Sequence, residues 1–382
     1  MTAAPLRRLG ALDVRRFLAH YWQRRAVCIR QAFPGMTAPL TPAQLFALAA
    51  RDEVESRLVT AYSGRWRLAH GPFGIAELPG PRRAHWTLLV QGVDLHEPRV
   101  AALAAAFRFL PMARFDDVMI SYAGPGGGVG PHVDQYDVFL LQAQGRRRWR
   151  IATAFDPRLV EGLPLRVLAH FRAEQEWVLE PGDMLYLPPG VAHEGVAVDA
   201  CMTVSIGFRL PEWQQAREAW YERQGRVAPA QGRIPDATRH PTRTPARLPA
   251  AMVDAFAREL RRAAPSRAEA RRTLLEHLSE PKPSIVFEAP RRALAAARFV
   301  AAARRRGLRL DARTRMLYEQ GDIGINGDCQ CLNGAEARLA RTLANTGTLA
   351  PSALCLYDPL DLPGLWPLMH AWYRSGWLHL AV

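Results

Sequence analysis

Lysine is almost missing from this 382-residue chain: 49 of its 50 basic residues are arginine, and Lys282 stands alone. The net charge of +14 therefore reflects a compositional bias as much as a demand for an anionic partner. The excess is also spread out, with +5 in residues 1–210, +4 in 211–280 and +5 in 281–382. No segment forms a basic arm, so nucleic acid is not expected as a substrate, although net charge alone allows attraction to RNA or a ribosomal assembly. Cysteine is scarce: Cys28, Cys201, Cys329, Cys331 and Cys355 make an odd number with no C-x2-C pair. That excludes a disulfide framework and a structural zinc site, and reduced thiols in a reducing compartment are expected. No apolar run reaches the ~18 residues of a membrane span. The arginine-rich opening lacks the apolar core of a cleaved leader, and Leu9, Leu12, Phe17 and Tyr21 fall on one helical face. It reads as the first structural helix of a cytoplasmic protein. No internal repeat is present.

What is there falls into three textures, consistent with two or three domains at roughly 100–200 residues each. Residues 1–210 alternate short strand-like runs with Gly/Pro turns, clearest over 118–123, 137–143, 147–153, 184–189 and 202–208. Many short strands between turn signals predict an all-β barrel or double-sheet jelly roll. A second helix is expected over Thr41–Ala50, with Pro42 at its first position. Residues 211–280 change character. Trp213, Ala216 and Trp220 recur at helical spacing, a Pro/Arg-rich linker spans Val227–Pro249, and two more helices carry Met252, Phe256 and Leu260, then Leu274, Leu275 and Leu278. These apolar faces need partners, either one another or a second copy of the chain. Residues 281–382 predict a helix over Arg291–Arg306 stopped by Gly307, strand-like runs around an Asn326-Gly327-Asp328 turn, and helices over Gly334–Asn345 and Leu365–Tyr373. Helices around a small hairpin read as a winged-helix-type module.

The chemistry sits in the first unit. His132-Val133-Asp134 places two ligands on one face of an extended chain, because side chains alternate with period two. His193, expected in the turn after Pro188-Pro189-Gly190, completes a facial triad. Two imidazoles and one carboxylate on one side of Fe(II) leave three open positions, enough for a bidentate 2-oxo acid and O2. Such a co-substrate needs a cation for its far carboxylate. In 145–151 the alternation puts Arg147 on the face of Trp149 and Ile151, inside the barrel, with Arg146, Arg148 and Arg150 outside. A buried guanidinium demands an anion and grips a carboxylate bidentately. By the same parity, if Ser121 faces the pocket, so do Asp117 and Met119. Ser121 is then placed to donate to the co-substrate, and Asp117 to hold a cationic substrate side chain. Tyr136 shares parity with the metal ligands and borders the pocket, and Thr203 and Ser205 share a face of their own strand.

PGGGVGPHVDQYDVFLLQAQGRRRWRI and PGDMLYLPPGVAHEG, with RRFLAHYWQRRAVCIRQAF and HWTLLVQGVDLHEP upstream, resemble the bacterial ribosomal oxygenases of the JmjC cupin class. The likeness is dense over residues 15–210, and strongest to the branch hydroxylating an arginine of large-subunit ribosomal protein sixteen. It implies a mainly β JmjC/cupin double-stranded β-helix over 1–210, a helical dimerisation region over 211–280 and a winged-helix domain over 281–382. It implies His132, Asp134 and His193 as Fe(II) ligands, Ser121 and Arg147 as 2-oxoglutarate contacts, and Asp117, Met119, Tyr136 and Ser205 around the substrate arginine. A homodimer and an arginine-bearing loop of a ribosomal protein are the expected partners. Arg147 stands where histone-demethylase-type relatives use lysine, which favours the ribosomal branch. The competing readings are a JmjC hydroxylase of histidine or another residue in a different basic protein, and a metal-regulated nucleic-acid binder.

Overall fold

The computed structural model describes residues 5–62, 65–81, 83–224, 241–259 and 266–381. Most of the Pro/Arg-rich linker, and Leu260 of the second predicted helix, lie outside the described residues.

Two antiparallel sheets face each other in the first unit. The eight-stranded sheet runs in the order Val27–Ile29, Met184–Leu187, Asp137–Gln144, Cys201–Phe208, Phe115–Ala123, Trp86–Val90, Ser56–Tyr62, Arg65–His70. The four-stranded sheet runs Gln175–Leu179, Arg147–Ala152, Ala192–Ala197, His132–Val133. Period-two alternation divides the long strands between two cores. Val118, Ile120, Tyr122, Phe139, Leu141, Val204, Ile206 and Phe208 point outward onto Phe17, Trp22, Phe107 and Phe109. Val138 and Leu140 point inward, onto Trp149, Ile151, Leu179, Leu185 and Leu187 of the space between the sheets. The inward set is sparser and more polar, with Ser121, Gln142, Thr203 and Ser205 all buried there. A pocket, not a solid apolar core, is the result.

The N-terminus differs from its expected single helix. Leu9 and Leu12 pair across a two-residue ladder turned by Gly10 (φ 54°), and the helix starts only at Val14. Asp13 caps it, accepting from Arg15 N at 2.9 Å, so the periodicity through Leu9 and Leu12 mixes two structures. The second helix, Pro42–Ala49, matches its start signal: Thr41 and Gln44 form a reciprocal capping box.

An ion pair inside the outer core anchors the chain beside the pocket. Arg114 and Asp137 are fully buried, with Nη2 and Oδ2 2.7 Å apart, and the Tyr186 hydroxyl donates to Asp137 Oδ1 at 2.5 Å. Breaking such a pair by removing one partner costs about 3–5 kcal/mol, because the other charge stays buried. It holds the strand that begins three residues after Asp134.

Helices Trp213–Gln224, Ala250–Glu259 and Arg267–Ser279 bury Ala216, Trp220, Met252, Phe256, Leu274 and Leu275 against one another and against Leu317. Their apolar faces are therefore partnered within the chain. The C-terminal unit is a small α/β region. It sets helices Ala296–Arg306, Gly334–Thr346 and Leu365–Arg374 around two three-stranded sheets. Asn326 (φ 47°) and Gly327 (φ 91°) make the predicted tight hairpin between Asp322–Ile325 and Asp328–Cys331. The first of these helices begins five residues later than expected. Leu294 packs into the C-terminal core, and its carbonyl lies 2.8 Å from His370 Nε2, which holds the preceding residues extended. No helix among the described residues is long and apolar enough to cross a membrane.

Candidate active site

Four of the strands converge on one end of the inter-sheet space. His132 pairs directly with His193 across antiparallel neighbours, so their rings lie side by side with centroids 4.3 Å apart. His193 is thus on the Ala192–Ala197 strand and not in the turn where it was expected. The Pro-Pro-Gly turn ends two residues earlier, and pairing with the metal strand extends the sheet through the histidine. Asp134 follows just past the short His132–Val133 strand, its Oδ2 3.8 Å from His132 Nε2 and 3.6 Å from His193 Nε2.

The ligand atoms of the three lie within 4.8 Å of one another, and among the described residues this is the one such cluster. Each imidazole is held in one tautomer. His132 Nδ1 lies 2.9 Å from the Gly130 carbonyl and His193 Nδ1 3.0 Å from the Val191 carbonyl. Carbonyls only accept, so Nδ1 carries the proton and the Nε2 lone pairs face Asp134. Burial, with His132 as the second cause, pushes the His193 imidazole down to about 4. The ring is neutral at neutral pH, as a metal ligand must be. Two neutral imidazoles and a carboxylate on one side of a point fit a divalent transition metal with open positions.

Arg147 stands where the parity placed it. It, Trp149 and Ile151 are buried, while Arg148 is exposed and Arg150 turns outward to Glu194. Its Nη1 donates to Ser121 Oγ at 3.2 Å and its Nη2 to the Gly195 carbonyl at 3.2 Å. The guanidinium also lies over Trp149, 5.2 Å from the ring centroid. It makes no ion pair among the described residues, and its buried Nε has no hydrogen-bond partner. Burial pulls its pKa down. A buried cation with spare donors and no carboxylate fits a carboxylate-bearing ligand. The neighbouring Gly195 could not be replaced: a Cβ there would sit 2.7 Å from the Trp149 ring and 2.8 Å from Arg147 Nε.

The Phe115–Ala123 strand carries the pocket away from the metal. Ser121, Met119 and Asp117 share its inner face, and Ser205 pairs with Met119 from the adjacent strand. Tyr136 packs at the edge of the inner core, and burial followed by the charge of Asp134 raises its phenol pKa. The structure pairs His132 with His193, Arg147 with Ser121 and Met119 with Ser205, while Asp117 lies in a far group whose cavity none of the other eight lines.

The far group contains residues that sequence reasoning did not find. Asp117 is buried, and burial followed by Asp116 pushes its carboxyl upward. Lys282 donates to Asp117 Oδ2 at 3.2 Å and lies 2.9 Å from Asp116 Oδ1. Asp116 Oδ2 also takes Arg209 Nε at 2.6 Å, and its carbonyl accepts from Arg315 Nη2 at 2.8 Å. Asp94 accepts from Val118 N at 2.8 Å, and burial raises its carboxyl to about 7. Asp94, Asp116, Asp117, Lys282 and Arg315 border a cavity of about 370 Å³ between the β unit and the C-terminal unit. No local pattern announces them, because Lys282 and Asp117 are 165 residues apart.

A JmjC domain model matches residues 102–216, and an AraC-like ligand binding domain model matches 168–279. The Escherichia coli protein named ribosomal protein uL16 3-hydroxylase is 46% identical over 201 residues, covering 52% of this chain and 53% of that protein. In sequence, the chain spans about half the length of the curated relatives it matches. In structure the likeness is complete. The X-ray structure of E. coli YcfD superposes with a TM-score of 0.81 at 30% identity, covering 98% of this chain and 100% of that one. This chain belongs to the JmjC ribosomal oxygenase family. A structure of the same E. coli ribosomal oxygenase in complex with cobalt and 2-oxoglutarate matches with a TM-score of 0.78 at 31% identity, over 97% of this chain and 99% of that one. In this chain, the described cluster able to hold a metal ion is His132, Asp134 and His193.

Proposed function

We propose that this protein is an Fe(II)- and 2-oxoglutarate-dependent oxygenase that hydroxylates an arginine side chain of ribosomal protein uL16. The observation that carries the reading is the single strand joining both ends of the pocket. Ser121 and Arg147 stand beside the metal ligands, and Asp117 stands four residues away on the same face.

His132, Asp134 and His193 hold the metal. Iron held there would supply the oxidising chemistry in which 2-oxoglutarate and O2 become succinate and CO2 and one oxygen atom enters a substrate C–H bond. Arg147 and Ser121 take the far carboxylate of 2-oxoglutarate and fix its orientation, with Trp149 closing over the guanidinium. Asp117 takes the substrate guanidinium, Met119 and Tyr136 border its methylene stem, and Ser205 lies across the strand pair from Met119. Holding both ends of that side chain selects which carbon faces the metal. A buried carboxylate has little purpose for a neutral imidazole, so Asp117 favours arginine over histidine as the target.

The reading extends to the rest of the chain. Residues 1–210 form the catalytic domain, 211–280 a helical region through which the protein pairs with a second copy, and 281–382 a winged-helix-like domain. The protein acts in the cytoplasm, where ribosomes are made. Light scattering of the purified chain tests the dimer. The main test is mass spectrometry of E. coli uL16 incubated with the protein, iron and 2-oxoglutarate. An arginine-containing peptide should gain one oxygen, and a gain on a histidine peptide instead would overturn the arginine assignment.

A further inference from the structure

The one lysine of the chain sits on the one acid proposed to receive the substrate arginine. Forty-nine other cationic positions use arginine. At this position arginine would grip Asp117 with two parallel N–H donors, whereas an ammonium is a point charge without that planar fork. The contact is correspondingly light, a single hydrogen bond of 3.2 Å from a side chain still one-third exposed. Pro281 and Pro283 stiffen the backbone on both sides, leaving motion to the flexible side chain. Asp116 lies 2.9 Å from the same ammonium, so Lys282 can release Asp117 and stay paired. Glu55, Asp94 and Glu288 line the same cavity and offer further carboxylates to a displaced ammonium.

We propose that Lys282 is a built-in stand-in for the substrate guanidinium, holding Asp117 in the substrate-free enzyme and yielding it when the substrate arginine arrives. The inference rests on the reading of Asp117 as the substrate's anchor. A buried carboxyl either takes up a proton, as burial favours for Asp94, or is paired with a cation. Burial pushes the Asp117 carboxyl upward, and Lys282 opposes that shift from 3.2 Å. Lys282 also sets a threshold: a ligand must displace an ammonium already in place, and a guanidinium fork does this better than a single-point donor. Every cationic ligand then binds more weakly than to a free Asp117, by the fraction of time the lysine is elsewhere.

The test uses the full chain with iron and 2-oxoglutarate under anaerobic conditions, where binding of E. coli uL16 is read without turnover. Lys282→Met should tighten uL16 binding about three- to tenfold, the factor by which the occupied fraction reduces affinity. Lys282→Arg, which keeps the charge and adds the fork, should loosen it. The single lysine also gives a single side-chain resonance after 13C-lysine labelling. Adding uL16 should move it toward the position it takes in Asp117→Asn. Asp117→Asn separates the two layers of the argument. If it leaves uL16 affinity unchanged, the anchor reading fails and the stand-in with it. If it weakens binding but Lys282→Met does not tighten it, or only lowers thermal stability, Lys282 is an interdomain fastener and the proposal is overturned while the anchor reading stands.

Discussion

Ser121 and Asp117 stand four residues apart on the same face of one strand, yet they belong to differently built places. Around Ser121 every contributor comes from the two facing sheets. Arg147, Trp149, Gly195 and the paired histidines are set by strand register, and the ring tautomers by backbone carbonyls. Around Asp117 the contributors come from distant stretches of chain, Asp94 before the strand, Arg209 after the last strand, and Lys282 and Arg315 from the C-terminal half. The first place has a fixed geometry and one uncompensated cation. The second is crowded with acids and has its charges balanced from outside the barrel. Chemistry common to many oxygenases suits the first arrangement, and a choice of substrate suits the second, since elements added later in the chain can retune it without touching the metal.

Four measurements would break or sharpen that contrast. The largest effect should come from Asp134→Ala. Losing a residue that merely hydrogen-bonds a metal ligand costs about 10–100-fold, so losing a ligand itself should exceed a hundredfold in metal affinity and take turnover to background. Retained turnover would remove Asp134 from the ligand set. Next, Arg147→Gln should weaken 2-oxoglutarate binding by about 2–5 kcal/mol, roughly 30-fold to several thousandfold, measured by calorimetry, because it truncates a buried charge partner. The contrast predicts that uL16 affinity stays within a few-fold in this variant. Asp117→Asn should do the converse, weakening uL16 by about ten- to a hundredfold, the worth of a charge-assisted hydrogen bond, with 2-oxoglutarate binding unchanged. If both ligands weaken together, the two places are one coupled unit.

The smallest effect is a pH dependence from Asp94. Its folded carboxyl is raised to about 7, above the ordinary aspartate value. The folded state therefore holds a proton that the unfolded state has lost. Any stability from this group is present below about pH 4 and is lost as pH rises through about 7, with a slope of at most ~1.4 kcal/mol per unit. Denaturant titrations at pH 5 and pH 7 should show this fall in the wild type and a flatter response in Asp94→Asn. An equal slope in both would place the proton elsewhere.

How much of this was legible follows the same divide. The inward direction of Arg147 was legible because Trp149 and Ile151 share its parity, whereas that of Ser121 was conditional in the sequence and is settled by its burial and its bond to Arg147. His132 and Asp134 carry a short spacing signal of their own. His193 was recognisable as a ligand but misplaced, because Pro-Pro-Gly signals a turn and nothing local shows that the histidine beyond it pairs with His132. At the other end, parity reached Asp117 and stopped. Asp94 sits in a single 3-10 turn, Val93–Leu95, and looks like any loop acid. Lys282 was visible only as an oddity of composition. Its meaning depends on a contact across 165 residues, which periodicity cannot encode. The late start of the Ala296–Arg306 helix has a similar origin, a tertiary contact of His370 overriding local helical preference.

Arg315, half-buried just before the Met316–Glu319 strand, reaches across to the backbone carbonyl of Asp116. That contact bears on how the enzyme is divided in the laboratory. A fragment ending near residue 210 keeps every residue proposed to hold the metal and the co-substrate, and would pass for a minimal catalytic domain. It would lose Arg315 and Lys282 together, leaving Asp94, Asp116 and Asp117 with only Arg209 among the cations described around them. On the proposed reading the barrel is not a portable cassette, because part of what surrounds Asp117 is carried by the tail.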